Sequence, residues 1–192
     1  MTTRKKSAAK KRVSRESWLD AALELMQEAG IENVTIDELS RRVGVAKTSF
    51  YWHFKNRDQL LNEILEFWEH EFTEIGTQNA LIHDMEPEDR LNAISEMVCD
   101  YNLARYETAI TAWADKDPRA KAARGRVIKK RLDFTRETFR EMGFRGDDLE
   151  MRTRLMVGYQ SNEPLMFDVS PSPKTRKIRK MRIKLLTQQL AK

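Results

Sequence analysis

Apolar residues recur along this chain three or four apart, the spacing of one helix face, and no alternation long enough for a strand interrupts them. Trp18, Ala22, Leu25 and Ala29 form the first stripe. Ser14 stands where an N-cap belongs, Val13 and Trp18 can staple across it, and Gly30 follows the last periodic residue, where a left-handed cap is expected. These signals predict a helix over 15–29. Thr35 and Glu38 have the spacing of a capping box, with Val34 placed to staple to Leu39, so a second helix is predicted from there to about Val43. Gly44 supplies the freedom for a tight turn. Leu39, Val43, Val45 and Phe50 have the spacing to fill a small core with a third helix, predicted over 47–54. Asn56 and Gln59 repeat the box, and Leu60, Leu61, Ile64, Leu65, Trp68 and Phe72 give a broad apolar face over about 57–75.

Residues 77–85 read as a linker. Pro87 opens the next helix, with a stripe of Leu91, Ile94, Met97 or Val98, and Tyr101. A helical run covers about 105–116, and Asp117-Pro118 marks a boundary. The helix after it ends at Met142 before Gly143. Its first half is basic (Arg119, Lys121, Arg124, Arg126, Lys129, Lys130, Arg131), which reads as a solvated face before it reads as a second DNA site. Asp147 or Asp148 starts the next helix, over about 147–167, which Pro164 should kink or break. Ser170-Pro171-Ser172-Pro173 is a stiff loop. The last helix, about 174–191, is amphipathic. The fold class expected is all-α, with about nine helices: an N-terminal three-helix unit carrying a helix-turn-helix, then a C-terminal helical domain for ligand binding and dimerisation. The segments are a basic, disordered arm over 1–14, a DNA-binding domain over 15–60, and a regulatory and dimerisation domain over 61–192.

Charge sharpens this division. The net charge of +5 is unevenly spread: 1–15 hold seven Lys/Arg, 174–192 hold eight, neither holds an acid, and the span between has 20 basic against 30 acidic residues. An acidic body with a basic arm beside a helix-turn-helix points to localised attraction for polyanions. The single cysteine, Cys99, excludes an intramolecular disulfide framework and fits a reducing cytoplasm. No apolar run approaches the roughly 18 residues of a membrane span, and the basic N-terminus lacks the apolar stretch of a secretory signal. No Gly-rich phosphate loop, Ser/His/Asp set or close His/Cys spacing occurs, so no catalytic residue, cofactor or metal is expected and an enzyme is disfavoured. A zinc or redox sensor using Cys99, or a membrane-surface protein using the basic last helix, has less support.

The stretch Thr35–Leu61 carries the chemistry. A helix in the major groove reads base edges near its N-terminus, while flanking groups hold phosphates. Lys47, Thr48, Ser49 and Trp52 are the candidate base-facing residues: lysine donates to guanine O6/N7, and threonine and tryptophan offer apolar contact to thymine methyls. Thr35, Tyr51, His53, Lys55 and Arg57 suit phosphates, with Arg41 or Arg42 within reach of the backbone. Phe54 reads as core, and Tyr51 as divided between packing and phosphate.

This run resembles the DNA-binding region of the TetR family of bacterial transcriptional regulators. The matching residues are Thr35-Ile36, Leu39-Ser40, Gly44-Val45, Lys47, Tyr51, His53-Phe54, Arg57-Asp58 and Leu60-Leu61, with Gly30 five residues ahead of Thr35. The specific resemblance covers about 15–75; beyond it only the helical layout and a Trp-Ala…Asp-Pro stretch at 113–118 are similar. Ala46 stands where the family usually has serine, removing a side-chain cap. Thr48 stands where the family often has glycine, and Trp52 falls at a variable position. The resemblance implies a homodimer on a pseudo-palindromic double-stranded DNA operator, formed through the last two helices, with Leu155, Ile178, Met181, Leu185 and Leu190 as candidate interface residues. It also implies a pocket for a small effector, coupled to the reading heads through the fourth helix. Its candidate liners are Phe72, Met97, Tyr101, Trp113, Phe134, Met156 and Tyr159, and their character suggests an apolar or aromatic effector. The function expected is a cytoplasmic dimeric repressor released by that ligand. The alternative is a DNA-binding protein of the same fold controlled by a protein partner or by no ligand.

Overall fold

The computed structural model describes residues 13–167 and 170–189. Among them every regular element is helical and none is a strand. The chain divides into two compact units, Met1–Leu61 and Asn62–Lys192.

The first unit holds α1 (Arg15–Ala29), a 3-10 turn (Ile31–Asn33), α2 (Ile36–Val43), a 3-10 segment (Lys47–Trp52) and the start of α3 (Arg57–Glu69). Ser14 caps α1, its Oγ accepting the Ser17 N–H at 3.2 Å. At the other end Gly30 has φ 84 and ψ 163. That is not the expected left-handed cap but its extended mirror, a region essentially reserved for glycine. Thr35 caps α2 through the Glu38 N–H at 3.2 Å. The expected box does not close, because the Glu38 carboxylate turns to Arg41 one helical turn on. Gly44 is left-handed, at φ 73 and ψ 32. At the head of α3, Asn56 Oδ1 accepts the Gln59 N–H at 2.9 Å, and Gln59 Oε1 accepts the N–H of Lys55, one residue earlier than expected, at 2.7 Å.

The core of this unit is aromatic. Trp18 and Phe50 are fully buried and Phe54 nearly so. Phe50 meets Trp18 edge-on at 5.5 Å and lies 5.2 Å from Phe54. Leu23, Met26, Val34, Leu39 and Leu60 complete the cluster of buried side chains. Val43 and Val45 are only half-buried.

In the second unit α3 continues through a π turn (His70–Glu74) into α4 (Ile75–Thr77). There follow α5 (Ala80–His83), α6 (Pro87–Asp100), α7 (Glu107–Ala114), α8 (Pro118–Glu141), α9 (Gly146–Met166) and α10 (Pro173–Thr187). The expected linker at 77–85 therefore contains a short helix, started by Asn79, whose Oδ1 accepts the Leu81 N–H at 2.9 Å. Pro164 lies inside α9, which ends two residues later. Ser172 and Thr175 form a closed capping box at the head of α10. Helix α8 is central, packing against α6, α7 and α9, while α10 packs on α6. Leu91, Phe139, Phe144, Leu149, Met156, Ile183 and Leu186 form the core where these helices meet.

The basic run of α8 is not a simple solvated face. Arg126 and Lys130 bond Glu69 at 2.8 and 2.6 Å. Lys130 also reaches Glu74, Arg131 pairs with Glu107 at 2.8 Å, and Arg136 with Glu150 at 2.5 Å. Burial of Glu69 opposes its charge, but the bonds from Arg126 and Lys130 outweigh it and hold its pKa low. Arg126, Lys130, Arg131 and Arg136 are thus engaged within the unit.

Asp117 fixes the corner between α7 and α8. Its carboxylate accepts the Arg119 N–H at 2.8 Å, the Arg119 guanidinium at 2.9 Å and the Trp113 indole N–H at 3.2 Å. The Arg119 guanidinium foremost, with that backbone donor and Trp113, lowers the Asp117 pKa to about 2 from 3.8. Since the folded value is the lower, this carboxylate contributes stability above pH ~4 that is lost as pH falls toward about 2. Asp117→Asn is expected to lower the urea midpoint at pH 6–7. The gap to the parent should narrow as pH drops below 4, and a pH-independent gap would show that the carboxylate's charge is not what matters.

Candidate functional site

The surface built by α2, the Gly44 turn and the Lys47–Trp52 segment gathers most of the residues expected to read DNA. The segment is 3-10, not the α-helix expected, and its N-cap position, Ala46, makes no side-chain cap bond. Phe50 points inward and anchors it, so its neighbours point out. Trp52 is 75% exposed and Tyr51 59%. Lys47, Thr48 and Lys55 are exposed, and Ser49 and His53 are half-buried. Tyr51 keeps one ring edge on Phe50 at 5.4 Å while presenting its hydroxyl end outward, so both roles expected of it are open. The His53 carbonyl accepts the Arg15 guanidinium at 2.6 Å, and that guanidinium lies 4.7 Å over the Phe54 ring. Thus α1 ties down the end of the reading segment.

Three basic residues are engaged within the unit. Lys47 Nζ lies 2.5 Å from Asp37 Oδ1, both side chains well exposed. Arg42 bonds Glu28 at 2.6 Å and Glu24 at 3.2 Å, joining α2 to α1. The Glu28 bond above all raises the Arg42 pKa still further. Arg57, expected on a phosphate, donates from Nε to the Val34 carbonyl at 2.6 Å and from its terminal nitrogen to the Ile31 carbonyl at 2.8 Å. Its donors close the loop between α1 and α2, and this tie accounts for its place without a phosphate. Thr35 is exposed at the head of α2, but its Oγ1 is taken up by the cap, leaving the helix N-terminus as what it offers an anion.

A second feature lies wholly in the second unit. Residues of the π turn, α4, α6, α8 and α9 enclose a cavity of about 60 Å³. Four of the seven expected liners, Phe72, Met97, Phe134 and Met156, face it. Three do not. Helix α6 stops at Asp100, and Tyr101, one residue past the end, is 69% exposed. Trp113 is buried, but its indole is committed to Asp117. Tyr159 is partly exposed, stacked on Phe167 at 6.3 Å and under the Arg182 guanidinium at 4.6 Å. Polar liners that periodicity did not single out are Thr73, Arg131 and Ser161. Gly76 has a packing reason: a Cβ there would collide with Met97 Cε.

The expected interface residues divide by face. Leu155, Ile178, Met181 and Leu185 are 46–68% exposed, whereas Arg179, Ile183 and Leu186 of α10 are buried. Leu190 lies outside the described residues, as does the arm over 1–12. The basic flank of α10 is largely compensated: Arg176 pairs with Asp100 at 3.1 Å, Lys180 with Glu96 at 3.7 Å and Arg182 with Glu163 at 3.1 Å. Among the described residues no cluster of three or more His, Cys, Asp and Glu is placed to hold a metal, and no helix is long and apolar enough to cross a membrane. Cys99 is buried, and burial raises its thiol pKa.

Residues 19–64 match the model of the bacterial regulatory proteins of the tetR family. The chain is 43% identical over 53 residues to the class D tetracycline repressor protein of Escherichia coli, covering 28% of this chain and 24% of that protein. It is 31% identical over 85 residues to the HTH-type transcriptional regulator AcrR of Shigella flexneri, covering 44% and 38%. These alignments thus span from about a quarter to under half the length of the curated relatives. Among solved structures, the TetR family transcriptional regulator PfmR of Thermus thermophilus is similar with a TM-score of 0.69 at 18% identity, over 91% of this chain and 99% of that one. At that identity the likeness is one of fold.

Proposed function

We propose that the chain, whose residues 19–64 match the tetR-family model, is a DNA-binding transcriptional regulator of that family and acts as a dimeric repressor of a pseudo-palindromic operator, released by a small apolar or aromatic ligand. The observation that carries the DNA-reading part is the Lys47–Trp52 segment: one buried aromatic, Phe50, holds it to α1 while Lys47, Thr48, Tyr51 and Trp52 face outward. Lys47, Thr48, Ser49 and Trp52 read base edges in this proposal. Thr35, Tyr51, His53 and Lys55 flank them on phosphates, and Arg42 and Arg57 brace the unit.

One reading head covers half a site, and two-fold pairing supplies the other half. The exposed apolar residues Leu155 of α9 and Ile178, Met181 and Leu185 of α10 support pairing through these helices. The cavity supports the effector part. Helix α3, continuous from Arg57 to Glu69 and belonging at its ends to different units, is the element through which occupancy would bias the spacing of the heads. The small volume of the cavity favours the second reading, a regulator of the same fold governed by a protein partner or by no ligand.

Selection of bound duplexes from random DNA tests the proposal. The expected result is enrichment of an inverted repeat with half-sites about one helical turn apart. Enrichment of a single half-site would refute the dimer, and no enrichment would refute sequence-specific reading. Removing residues 1–12, which hold six Lys/Arg, is expected to weaken binding to all DNA and to flatten its salt dependence, by roughly 0.9 in log–log slope for each phosphate the arm neutralises. An unchanged slope would make the arm a tail only.

A further inference from the structure

The cavity of the second unit is chemically uneven, and its two ends constrain what it holds. Phe72, Ile94, Met97, Phe134 and Met156 give it apolar walls. Arg131 is the one charged residue among its described liners, and each of its three nitrogens already has a partner. Its terminal nitrogens lie 2.8 Å from the Glu107 carboxylate, 3.3 Å from Ser161 Oγ and 3.2 Å from the Phe72 carbonyl, and its Nε donates to Thr73 Oγ1 at 3.1 Å. The Arg131 and Glu107 side chains are only 16% and 13% exposed, so the pair forms a compensated unit inside the fold. An anion would have to displace Glu107, and a cation would face Arg131 without a partner of its own. Both routes strand a buried charge.

Gln160 is different. It lines the same cavity from α9, and its Oε1 is buried with no hydrogen-bond partner among the described residues. A buried acceptor in that state is an open position for a donor. A hydroxyl suits it whichever way the amide is turned, because a hydroxyl both donates and accepts. The volume of about 60 Å³ is several times what one water needs, roughly 10–15 Å³, yet less than half of the roughly 150 Å³ that takes a benzene ring, so what fits is a molecule of a few heavy atoms.

We infer that this cavity takes a compact, uncharged molecule with an apolar body and one hydroxyl, seated against the Gln160 amide. The inference rests on the sensor reading above and names the ligand class for it.

Four probes of similar size separate the possibilities: ethanol, dichloromethane, acetate and ethylamine, titrated into the full chain and followed by NMR. Ethanol is expected to bind about tenfold more tightly than dichloromethane, the worth of one hydrogen bond, and the two charged probes more weakly than either. Gln160→Leu should bring ethanol down to the level of dichloromethane and leave dichloromethane unchanged. Acetate or ethylamine binding as tightly as ethanol overturns the class, as does an ethanol–dichloromethane gap that survives Gln160→Leu. Gel shifts on the selected operator then part the two claims. Ethanol that binds without altering DNA affinity refutes ligand release but leaves the cavity's chemistry standing. Acetate that binds and releases DNA refutes the class but leaves release standing. Failure of all four to bind refutes both.

Discussion

Phe50→Ala is expected to destabilise the first unit by about 3–5 kcal/mol, the usual cost of deleting a buried phenyl ring, and to abolish sequence-specific DNA binding. Phe50 is fully buried, edge-on to Trp18 and stacked obliquely near Phe54. The unit has only 61 residues, and domains of this size bury too little surface to absorb such a loss. The reading segment is also unusually dependent on this one ring. It is 3-10, with poorer hydrogen-bond geometry than an α-helix, and Ala46 gives it no side-chain cap. Along its length the Phe50 side chain holds it against α1, and the Arg15–His53 tie fastens its end. Thermal unfolding followed by the fluorescence of the buried Trp18, together with gel shifts, checks this. Phe50→Leu keeps most of the apolar volume and should recover a good part of both signals. A Phe50→Ala variant with parental melting would mean that the aromatic cluster is not what orders the segment.

Most of the architecture was legible because its signals are local. Ser14, Thr35 and Asp117 all cap the helices whose starts they mark, whereas Ser172, read only as part of a stiff loop, turns out to cap α10. Gly44 has the left-handed backbone that a two-helix turn demands. Apolar spacing placed Trp18, Leu39, Phe50 and Phe54 in the core, and all four are buried. What escaped was either too short for a period or set by distant neighbours. Helix α5 has four residues, one turn, which no stripe can announce. The π turn and the 3-10 segment differ from α-helix by one hydrogen-bond step, and apolar spacing over five or six residues does not resolve that.

Destinations of long polar side chains were the least legible. Arg57 lies in a stretch rich in residues expected to face DNA, yet it closes on carbonyls 23 and 26 positions earlier. Arg126 and Lys130 meet Glu69 across 57 and 61 positions. Such pairings depend on which helices become neighbours, and nothing in the spacing of the charges records that. Tyr101 failed for a related reason. It continues the period of Leu91, Ile94 and Met97, but α6 ends one residue before it, so the period persists after the helix has stopped.

The functional surface itself yields the other large effect. Lys47→Ala is expected to lower operator affinity about tenfold to a hundredfold per reading head, the worth of a lysine on a guanine edge, about 1–3 kcal/mol. Stability should change by less than about 1 kcal/mol, because the Lys47–Asp37 pair is exposed and such pairs contribute little. That pair makes a second, less obvious prediction. On DNA the Lys47 ammonium must leave Asp37, and the abandoned carboxylate then stands near a polyanion. Asp37→Asn removes both penalties, so it is expected to tighten binding several-fold, most at low salt. Combining the two substitutions separates the causes. If the gain from Asp37→Asn vanishes in the Lys47→Ala background, Asp37 acts by holding Lys47; if it persists, Asp37 acts by repelling phosphates directly. Unchanged gel-shift affinity for Lys47→Ala at equal melting temperature would remove Lys47 from the reading surface, and Trp52, the most exposed aromatic of the segment, would become the first residue to test in its place.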